Sequence, residues 1–283
     1  MKTFYITTPI YYVNDKPHIG HAYTTILADV LARFYRNRGV DTFFLTGLDE
    51  HGQKVQQAAE KKDIKPKDHC DVMVPRFKNL WSKLHISYDD FIRTTEQRHK
   101  KVVQSILQDV YDSGDIYIDE YKGLYSVSEE RFITEKEAES GVYSDIKELK
   151  EKNYFFKMGK YQKKLIEHIE NNKFIQPEYR KNEVLGFLKK PLSDLCISRP
   201  KSRLNWGIEL PFDSEYVTYV WFDALINYIT APGIKSDGNN FRKWWPANIH
   251  LIGKDILTTH AVYWPTILLS AGIKLPHTIF AHG

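Results

Sequence analysis

The sequence His18-Ile19-Gly20-His21 constrains the fold more than any other feature, because of what stands on either side of it. It follows an apolar, β-prone run at residues 4–8 and precedes a stretch of helical periodicity at residues 22–38. A strand that leads into a helix N-terminus presents free N–H groups and a positive dipole end to an anion. The two histidines add hydrogen-bond donors, and the glycine leaves room for a flat ring. This corner is typical of nucleotidyl transfer, in which a nucleoside triphosphate releases pyrophosphate.

The composition is that of a soluble globular protein. Of the 283 residues, 42% are hydrophobic and 27% are charged. No uncharged apolar stretch approaches the ~20 residues that span a membrane, and the N-terminus lacks a signal-peptide pattern, so we expect a cytoplasmic protein without membrane contact. The formal net charge of +4 permits a polyanionic partner without requiring one. The two cysteines, Cys70 and Cys196, form no CxxC pair and indicate neither a disulfide framework nor a zinc knuckle.

Strand-like and helix-like segments alternate along most of the chain. Apolar periodicity predicts strands at residues 4–8, 40–46, 88–92, 249–253 and 278–281, and helices at 22–38, 54–62, 67–84, 96–113, 160–171, 221–230 and 255–271. The core-facing side of the first helix is expected to consist of Ala22, Ile26, Leu27, Val30, Leu31 and Phe34. Alternation of this kind indicates a parallel sheet with right-handed crossovers. We therefore predict an α/β protein with a Rossmann-like, doubly wound parallel sheet.

The pattern changes near residue 116, which predicts an insertion into the α/β domain. The segments beyond it are shorter and hairpin-like, and Pro177 and Pro191 act as breakers. We therefore expect the first half of a Rossmann-like catalytic domain at residues 1–115, an inserted α+β connective domain at 116–216, and the second half of the catalytic domain at 217–283. Because the pattern stops on a strand without a following helix, the second half is expected to be truncated.

Three polar loops leave predicted strands at what would be one edge of the sheet. They cover residues 9–21, 47–52 and 253–255. Ligands of doubly wound sheets bind outside the carboxyl ends of the strands, so these loops are expected to line one crevice. Their chemistry-bearing side chains are Asn14, His18, His21, Asp49 and Asp255.

Each of these side chains also has an ordinary structural interpretation. A histidine beside a helix start is often only a cap or a surface group, Asp49 suits an Asx-turn, and Asp255 suits a helix N-cap. Spacing alone favours core or surface positions for the rings of Tyr12, Trp221, Tyr228 and His260. The local pattern leaves both interpretations open.

Longer stretches extend the pattern and resemble the methionyl-tRNA synthetase family, a group of class I aminoacyl-tRNA synthetases. The resemblance covers essentially the whole chain, in order. It is carried by Thr8-Pro9-Ile10-Tyr11-Tyr12-Val13-Asn14, Pro17-His18-Ile19-Gly20-His21, Leu45-Thr46-Gly47-Leu48-Asp49-Glu50-His51-Gly52, Asn153-Tyr154-Phe155-Phe156, Tyr219-Val220-Trp221-Phe222-Asp223-Ala224 and Ile252-Gly253-Lys254-Asp255-Ile256.

The resemblance implies a role for each matching residue. His18, His21 and Asn14 would be catalytic, with the histidines on the ATP phosphates, Gly20 under the adenine, and Gly253 and Asp255 on the ribose. Asp49 would pair with the ammonium group of methionine, and Arg199 would lie near the same site. The remaining methionine-binding residues would be Ile10, Tyr12, Trp221, Ala224, Tyr228, Ile256 and His260. Aromatic walls suit a thioether, which is apolar and polarizable.

The implied reaction joins methionine to ATP, releases pyrophosphate, and then transfers the methionyl group to tRNA(Met), with Mg²⁺ on the phosphates. Two alternatives are a nucleotidyltransferase with this motif that acts on a small metabolite, and a non-catalytic, synthetase-like binding fragment. The size of the insertion argues against the first alternative. The intact His18, His21 and Asp49 argue against the second.

The chain departs from the family pattern at two places. Some members carry a zinc knuckle within a motif like residues 123–132, but Ser126 and Glu129 stand here at the cysteine positions, so no structural zinc is expected. The Lys-Met-Ser-Lys-Ser loop of the family follows shortly after a stretch like Phe280-Ala281-His282-Gly283, where this sequence stops. We therefore expect a catalytic part that lacks this loop and has low activity by itself.

Overall fold

The first part of the chain folds into alternating strands and helices. The structure, a computed structural model, describes residues 2–126, 131–133, 135–140, 142 and 145–283. The elements in chain order are β1 (Thr3–Tyr12), α1 (Ile19–Asn37), β2 (Asp41–Asp49), α2 (Gln53–Glu60), α3 (Pro66–Lys83), β3 (Asp90–Arg93) and α4 (Gln97–Asp112). The predicted segments are confirmed with small shifts of their ends. β1 and β2 run further than predicted, so residues 9–12 and 47–49 are strand rather than loop.

The middle of the chain is richer in short elements than predicted. It contains β4 (Ile116–Ser126), β5 (Arg131–Ile133), α5 (Glu135–Glu139), β6 (Ile146–Phe156), α6 (Gln162–Asn171), β7 (Ile175–Gln176), α7 (Glu178–Phe187), β8 (Leu195–Cys196), β9 (Ser198–Pro200), β10 (Glu209–Leu210) and β11 (Asp213–Thr218). A 3₁₀ turn, Met158–Tyr161, precedes α6. The helix predicted at 160–171 is confirmed, whereas α5 and α7 were not predicted.

The last part returns to the α/β pattern. It contains α8 (Val220–Leu225), α9 (Asn227–Thr230), α10 (Gly238–Trp244), β12 (Ile249–Gly253), α11 (Trp264–Ser270) and β13 (Ile279–His282). The predicted helix at 221–230 is therefore two short helices. No helix among the described residues is long and apolar enough to cross a bilayer.

A six-stranded parallel sheet confirms the predicted fold class. Its strand order is β3-β2-β1-β12-β13-β7, and every neighbouring pair is parallel. The order runs one way from β1 to β3 and the other way from β12, so the topology switches between β1 and β12. In doubly wound sheets the crevice at such a switch point is the usual ligand site.

The chain between residues 116 and 216 is tied to the main sheet. β7 pairs with β13, with Ile175 opposite Ile279. The other strands form two antiparallel sheets, β5-β4-β6-β8 and β10-β11-β9. Phe156 of β6 belongs to the same buried cluster as Tyr5 of the main sheet. The boundaries of an inserted connective domain stay a prediction, and they enclose one strand of the main sheet.

The buried face of α1 differs from the face predicted by hydrophobic periodicity. Its buried residues are Thr24, Thr25, Ala28, Asp29 and Ala32. Ile26, Val30 and Phe34 are instead 39%, 57% and 50% exposed, so the prediction is wrong for these three. Ala28 and Ala32 pack with Phe4, Ile6 and Phe44 of the sheet, because small side chains let the helix axis approach the strands closely. Leu27 and Leu31 lie at the edge of this contact and are partly buried.

The segment after β12 is not the single regular helix that was predicted for residues 255–271. A 3₁₀ turn, Lys254–Ile256, is followed by a π-helical turn, Thr259–Tyr263, and then by α11. Gly272 ends the helix with φ at 67°, a left-handed conformation that glycine adopts readily. π turns are rare and occur often at functional sites.

Candidate functional site

A cavity of about 480 Å³ opens at the carboxyl edge of the main sheet. All three predicted loop regions contribute to its wall. The predicted residues that line it are Ile10, Tyr12, His18, Gly20, His21, Asp49, Trp221, Ala224, Tyr228, Gly253, Asp255, Ile256 and His260. Asn14 is the exception, because it lies in an exposed turn after β1 and outside this lining. The structure therefore brings together side chains that are up to 250 positions apart in sequence.

One part of the lining is the N-terminus of α1, which we call the histidine corner (His18, Gly20 and His21). The two histidines cap the helix reciprocally: His18 Nδ1 accepts from the Gly20 N–H at 3.1 Å, and His21 Nδ1 accepts from the His18 N–H at 3.3 Å. Their rings stack with centroids 3.7 Å apart. Since each Nδ1 is an acceptor, each neutral ring carries its proton on Nε2. The cap thus selects the tautomer that can donate to an anion, and the two interpretations of these histidines are compatible.

The electrostatics of the histidine corner favour a neutral His21 ring. Burial, and then the neighbouring His18, lower the pKa of His21 to about 4. At neutral pH His21 is therefore a hydrogen-bond donor rather than a cation. A Cβ at Gly20 would lie 3.1 Å from His18 Cε1, so glycine allows the first ring to pack against the backbone.

A second part of the lining is the aromatic wall (Tyr12, Trp221, Tyr228 and His260), of which Tyr228 and His260 are held by side-chain hydrogen bonds. His260 Nδ1 donates to the Ile256 carbonyl at 2.9 Å, so its Nε2 accepts from the Tyr228 hydroxyl at 2.8 Å. Burial lowers the pKa of His260 to about 4, against the opposing effects of the Ile256 carbonyl and Asp255. The imidazole is therefore neutral, and the hydroxyl proton of Tyr228 is committed to it.

On the side that faces away from the cavity, Tyr228 packs against further buried side chains. The Tyr228 ring lies 4.3 Å from the ring of His250, which is itself buried. His250 Nε2 accepts from the indole N–H of Trp264 at 3.2 Å, so its Nδ1 donates to the Thr7 hydroxyl at 2.8 Å. This chain of contacts joins β1, β12 and α11 and keeps Tyr228 in place.

Asp49 ends strand β2 and contributes a buried carboxylate to the cavity. It belongs to the strand, whereas the sequence left open that it belonged to a turn. The next residue, Glu50, faces away from the lining, where its carboxylate accepts from Arg93 Nε at 2.7 Å and from the Thr95 hydroxyl. The Glu50 carbonyl accepts from the Trp206 indole at 2.5 Å. The end of β2 is therefore held from several sides.

Asp255 lies in the 3₁₀ turn after β12 and is exposed to the cavity. The N-cap position of that turn belongs to Gly253, and no side chain caps it, so the interpretation of Asp255 as a helix N-cap is wrong. A Cβ at Gly253 would lie 2.5 Å from Asp255 Oδ1. The glycine therefore makes room for the carboxylate, which folds over it.

Comparison with known proteins identifies the family. A family model described as tRNA synthetases class I (M) matches residues 4–143 and 136–283. The chain belongs to this family of tRNA synthetases. The resemblance read from the sequence motifs is confirmed.

Individual relatives agree with the family model. The chain is 54% identical over 289 residues to a methionine–tRNA ligase of Clostridium tetani, which covers 100% of this chain and 45% of the relative. It is 51% identical to a methionine–tRNA ligase of Rickettsia conorii, with 99% of this chain and 56% of the relative covered. The chain thus spans about half the length of the curated relatives it matches.

A solved structure is similar over the whole chain. Methionyl-tRNA synthetase of Mycobacterium tuberculosis in complex with methionyl-adenylate superposes with a TM-score of 0.95 at 43% identity, covering 100% of this chain and 57% of that chain. The fold of this tRNA synthetase is therefore that of the matched part of the mycobacterial protein.

The cavity of this tRNA synthetase has polar residues that the sequence patterns did not single out. They are Thr24, Lys54, Asn227, Lys254 and His282. Thr24 Oγ1 and His282 Nε2 are 2.7 Å apart, which ties the end of β13 to α1. Two of these residues could have been found from the sequence. Lys54 lies in the first turn of a predicted helix, and His282 belongs to the stretch Phe280-Ala281-His282-Gly283.

Arg199 lies behind the cavity rather than in its lining. It is 3% exposed, and its guanidinium lies 4.5 Å from the ring centroid of Tyr219, which does line the cavity. Its Nη1 donates to the Ser198 carbonyl at 2.7 Å. The prediction that Arg199 is near the site holds for its position, through a single intervening ring.

Ser126 and Glu129 stand at the cysteine positions of the family's zinc knuckle. Ser126 ends β4 with its side chain buried, whereas Glu129 lies outside the described residues. Within the described part of the chain, no group of three or more His, Cys, Asp or Glu side chains is arranged to hold a metal ion. The absence of zinc stays a prediction. Elemental analysis of the purified protein checks it, and one zinc per chain would contradict it.

Proposed function

We propose that this tRNA synthetase activates L-methionine with ATP to give methionyl-adenylate and pyrophosphate, and transfers the methionyl group to tRNA(Met) in the cytoplasm. The observation that carries the proposal is that one cavity is lined by both the histidine corner and the aromatic wall. A phosphate site and an apolar side-chain pocket within one cavity suit a reaction that joins an amino acid to a nucleotide. The names of the relatives and the methionyl-adenylate in the mycobacterial structure support the same reaction.

The histidine corner and the segment after β12 would bind ATP. His18 and His21 donate their Nε2–H groups to the phosphates, next to the positive end of α1. The adenine lies on Gly20, and the ribose hydroxyls bind at Gly253 and the exposed carboxylate of Asp255. Neutral donors of this kind stabilise charge as it develops without holding the ground-state triphosphate too strongly.

The remaining residues would bind methionine. The buried carboxylate of Asp49 pairs with the ammonium group, and the aromatic wall surrounds the side chain with Ile10, Ala224 and Ile256. Because the Tyr228 hydroxyl and His260 Nε2 are bonded to each other, the wall offers the thioether mainly close-packed, polarizable surface.

The first step is an in-line displacement. A carboxylate oxygen of methionine bonds to the α-phosphorus of ATP, the bond from that phosphorus to the bridging oxygen breaks, and pyrophosphate leaves with the electron pair. No covalent enzyme intermediate forms, so positioning and electrostatic stabilisation provide the rate. Mg²⁺ would enter with ATP as part of the substrate. The only carboxylate side chains in the described lining are Asp49 and Asp255, which have other roles.

A titration of the chain with a panel of amino acids tests the methionine pocket. Calorimetry is expected to show binding of L-methionine and much weaker binding of leucine and valine. Equal affinity for leucine would contradict the proposed specificity.

Methionine-dependent exchange of pyrophosphate into ATP tests the chemistry. We expect exchange by a protein of the relatives' full length that carries this sequence, and much slower exchange by the 283-residue chain. Binding without exchange in the longer protein would favour a non-catalytic module. Equal rates in the two proteins would show that residues beyond this chain are dispensable for activation.

A further inference from the structure

Asp223 is a buried carboxylate whose two oxygens are each bonded to a histidine. His51 Nδ1 lies 2.6 Å from Oδ2, and His99 Nε2 lies 2.7 Å from Oδ1. The three side chains are at most 2% exposed. Burial raises the pKa of Asp223, but the two histidines outweigh this effect and lower the pKa to about 2. The carboxylate is therefore charged, and both histidine nitrogens donate to it.

The triad His51, Asp223 and His99 joins three parts of the chain that have no short connection. His51 lies in the loop after β2, Asp223 in α8, and His99 near the start of α4. His99 Nδ1 also lies 3.3 Å from the hydroxyl of Thr230 at the end of α9. The positions along these elements matter, because residues of the cavity lie close to His51 and Asp223 in sequence.

Two members of the triad, His51 and Asp223, are next to segments that line the cavity, and His99 approaches it through Thr230, two positions after the lining residue Tyr228. Asp49 is two positions before His51, and Trp221 and Ala224 flank Asp223. None of the three triad residues is itself part of the lining. The triad is therefore placed to hold the carboxylate of Asp49 at a set separation from the aromatic wall.

The hydrogen bonding of His51 argues against a purely stabilising role. Its Nε2 is buried and has no hydrogen-bond partner among the described residues. A buried polar atom without a partner costs free energy, and apolar side chains of similar volume often serve as well as a buried ionic group. Such a group fits a role in fixing geometry better than a role in stability.

We infer that the triad His51–Asp223–His99 is a positioning device that sets Asp49 and Trp221 for methionine before methionine binds. The inference rests on the proposed function of Asp49 and the aromatic wall. It makes His51, Asp223 and His99 positioning residues, which act through the segments they join. Within the described part of the chain no hydrogen bond joins a triad residue to the histidine corner, so the inference concerns the amino-acid pocket and not the ATP site.

A matched pair of variants at His51 tests the inference. In His51→Asn the amide N–H₂ replaces Nδ1, so the bond to Asp223 can be kept, whereas His51→Gln places its amide at the Nε2 position and His51→Leu removes the donor. We expect methionine affinity near that of the wild type for the Asn variant and about 10- to 100-fold weaker for the Gln and Leu variants. ATP affinity is expected to stay unchanged in all three. Calorimetry with each ligand gives both constants.

The control is a buried carboxylate elsewhere. Asp115 is 1% exposed and accepts from Lys160, Tyr161 and Ser270, outside the cavity lining. Asp115→Asn is expected to lower the melting temperature while methionine and ATP affinities stay as in the wild type. If the Leu variant does not fold, the Gln variant carries the comparison.

The outcomes separate this inference from the proposed function. Wild-type protein that binds no methionine would refute the proposed function, and the inference would fall with it. Wild-type binding together with unchanged affinity in the Gln and Leu variants would refute the inference alone. Parallel losses of methionine and ATP affinity, or an Asn variant as weak as the Leu variant, would show a general structural role and also refute it.

Discussion

The histidine corner and the aromatic wall line the same cavity but are built in opposite ways. His18 is exposed and His21 partly so, and the rings are oriented by backbone N–H groups of their own helix turn. Tyr228 and His260 are buried and bonded to each other, with further buried rings behind them. The histidine corner is thus formed by neighbouring residues and is accessible to solvent, whereas the aromatic wall depends on packing between distant segments. If the proposed function is correct, the wall is packed before the amino-acid side chain binds, and the corner supplies donors to a charge that changes during the reaction.

Replacing His21 by alanine is expected to have the largest effect. The change should lower the rate of adenylate formation and leave methionine affinity nearly unchanged. Loss of one preorganised donor should slow adenylate formation by about 10²- to 10³-fold. Methionine affinity should change little, because the described hydrogen bonds of Tyr228 and His260 do not involve the corner. Pyrophosphate exchange and methionine titration in a protein of the relatives' length measure the two quantities.

The variant His21→Asn separates the proposed role of His21 as a donor to phosphate from its role as a helix cap. Its amide oxygen can still accept from the His18 N–H, but it lacks the Nε2–H group. A rate as low as that of His21→Ala is expected. Recovery of the wild-type rate would assign His21 to capping alone and would show that the corner acts through no donor at this position.

Replacing Trp221 by alanine is expected to affect binding instead. Trp221 is partly buried and forms one side of the aromatic wall. Loss of its ring should weaken methionine binding by about 2–3 kcal/mol, on the scale of truncating a large apolar side chain. ATP affinity should be unchanged, and a loss of both affinities in calorimetry would show that wall and corner are not independent.

Acidification is expected to destabilise the protein through the buried histidine of the wall. The pKa of His260 is about 4 when folded and near 6.5 when unfolded, so between these values the unfolded state binds more protons. The stabilising contribution is present above pH 6.5 and is lost as pH falls towards 4. From pH 7 to pH 5 the free energy of unfolding should fall by about 1–2 kcal/mol from this group. Denaturant unfolding at several pH values measures it, and His260→Gln should reduce the slope.

Tyr228→Phe is expected to have the smallest effect. The change removes the hydroxyl that donates to His260 Nε2 and leaves that nitrogen buried without its partner. The free energy of unfolding should fall by about 1 kcal/mol, the scale of one buried hydrogen bond. Methionine affinity should fall by a similar or smaller amount, and an effect of several kcal/mol would mean that the hydroxyl contacts the ligand directly.

The sequence predicted the sheet and the histidine corner from local signals. Alternating apolar runs and the polar ends of strands are properties of neighbouring residues. They predict where strands end, and parallel topology then brings those ends to one edge. The crevice followed from this rule, whereas the methionine residues came from family resemblance.

Other features depend on packing between distant segments and were not predictable from periodicity. The buried face of α1 follows its small residues because the helix lies close to the sheet, which an apolar pattern does not reveal. The bond between His51 and Asp223 spans 172 positions, and neither residue stands out in composition or spacing. Asn14 belongs to a matching motif but lies outside the cavity lining, and its catalytic role stays a prediction.

The π-helical turn at Thr259–Tyr263 has a consequence for insertions and deletions. A π turn is an α-helix that holds one additional residue, and His260 lies within it. Loss of a single codon here would let the turn relax into ordinary α geometry and would keep its backbone hydrogen bonds. It would also rotate one flank against the other by about 100°, separating His260 from Tyr228 or Trp264 from His250. A one-residue deletion in this stretch would therefore preserve the helix but disrupt the pocket.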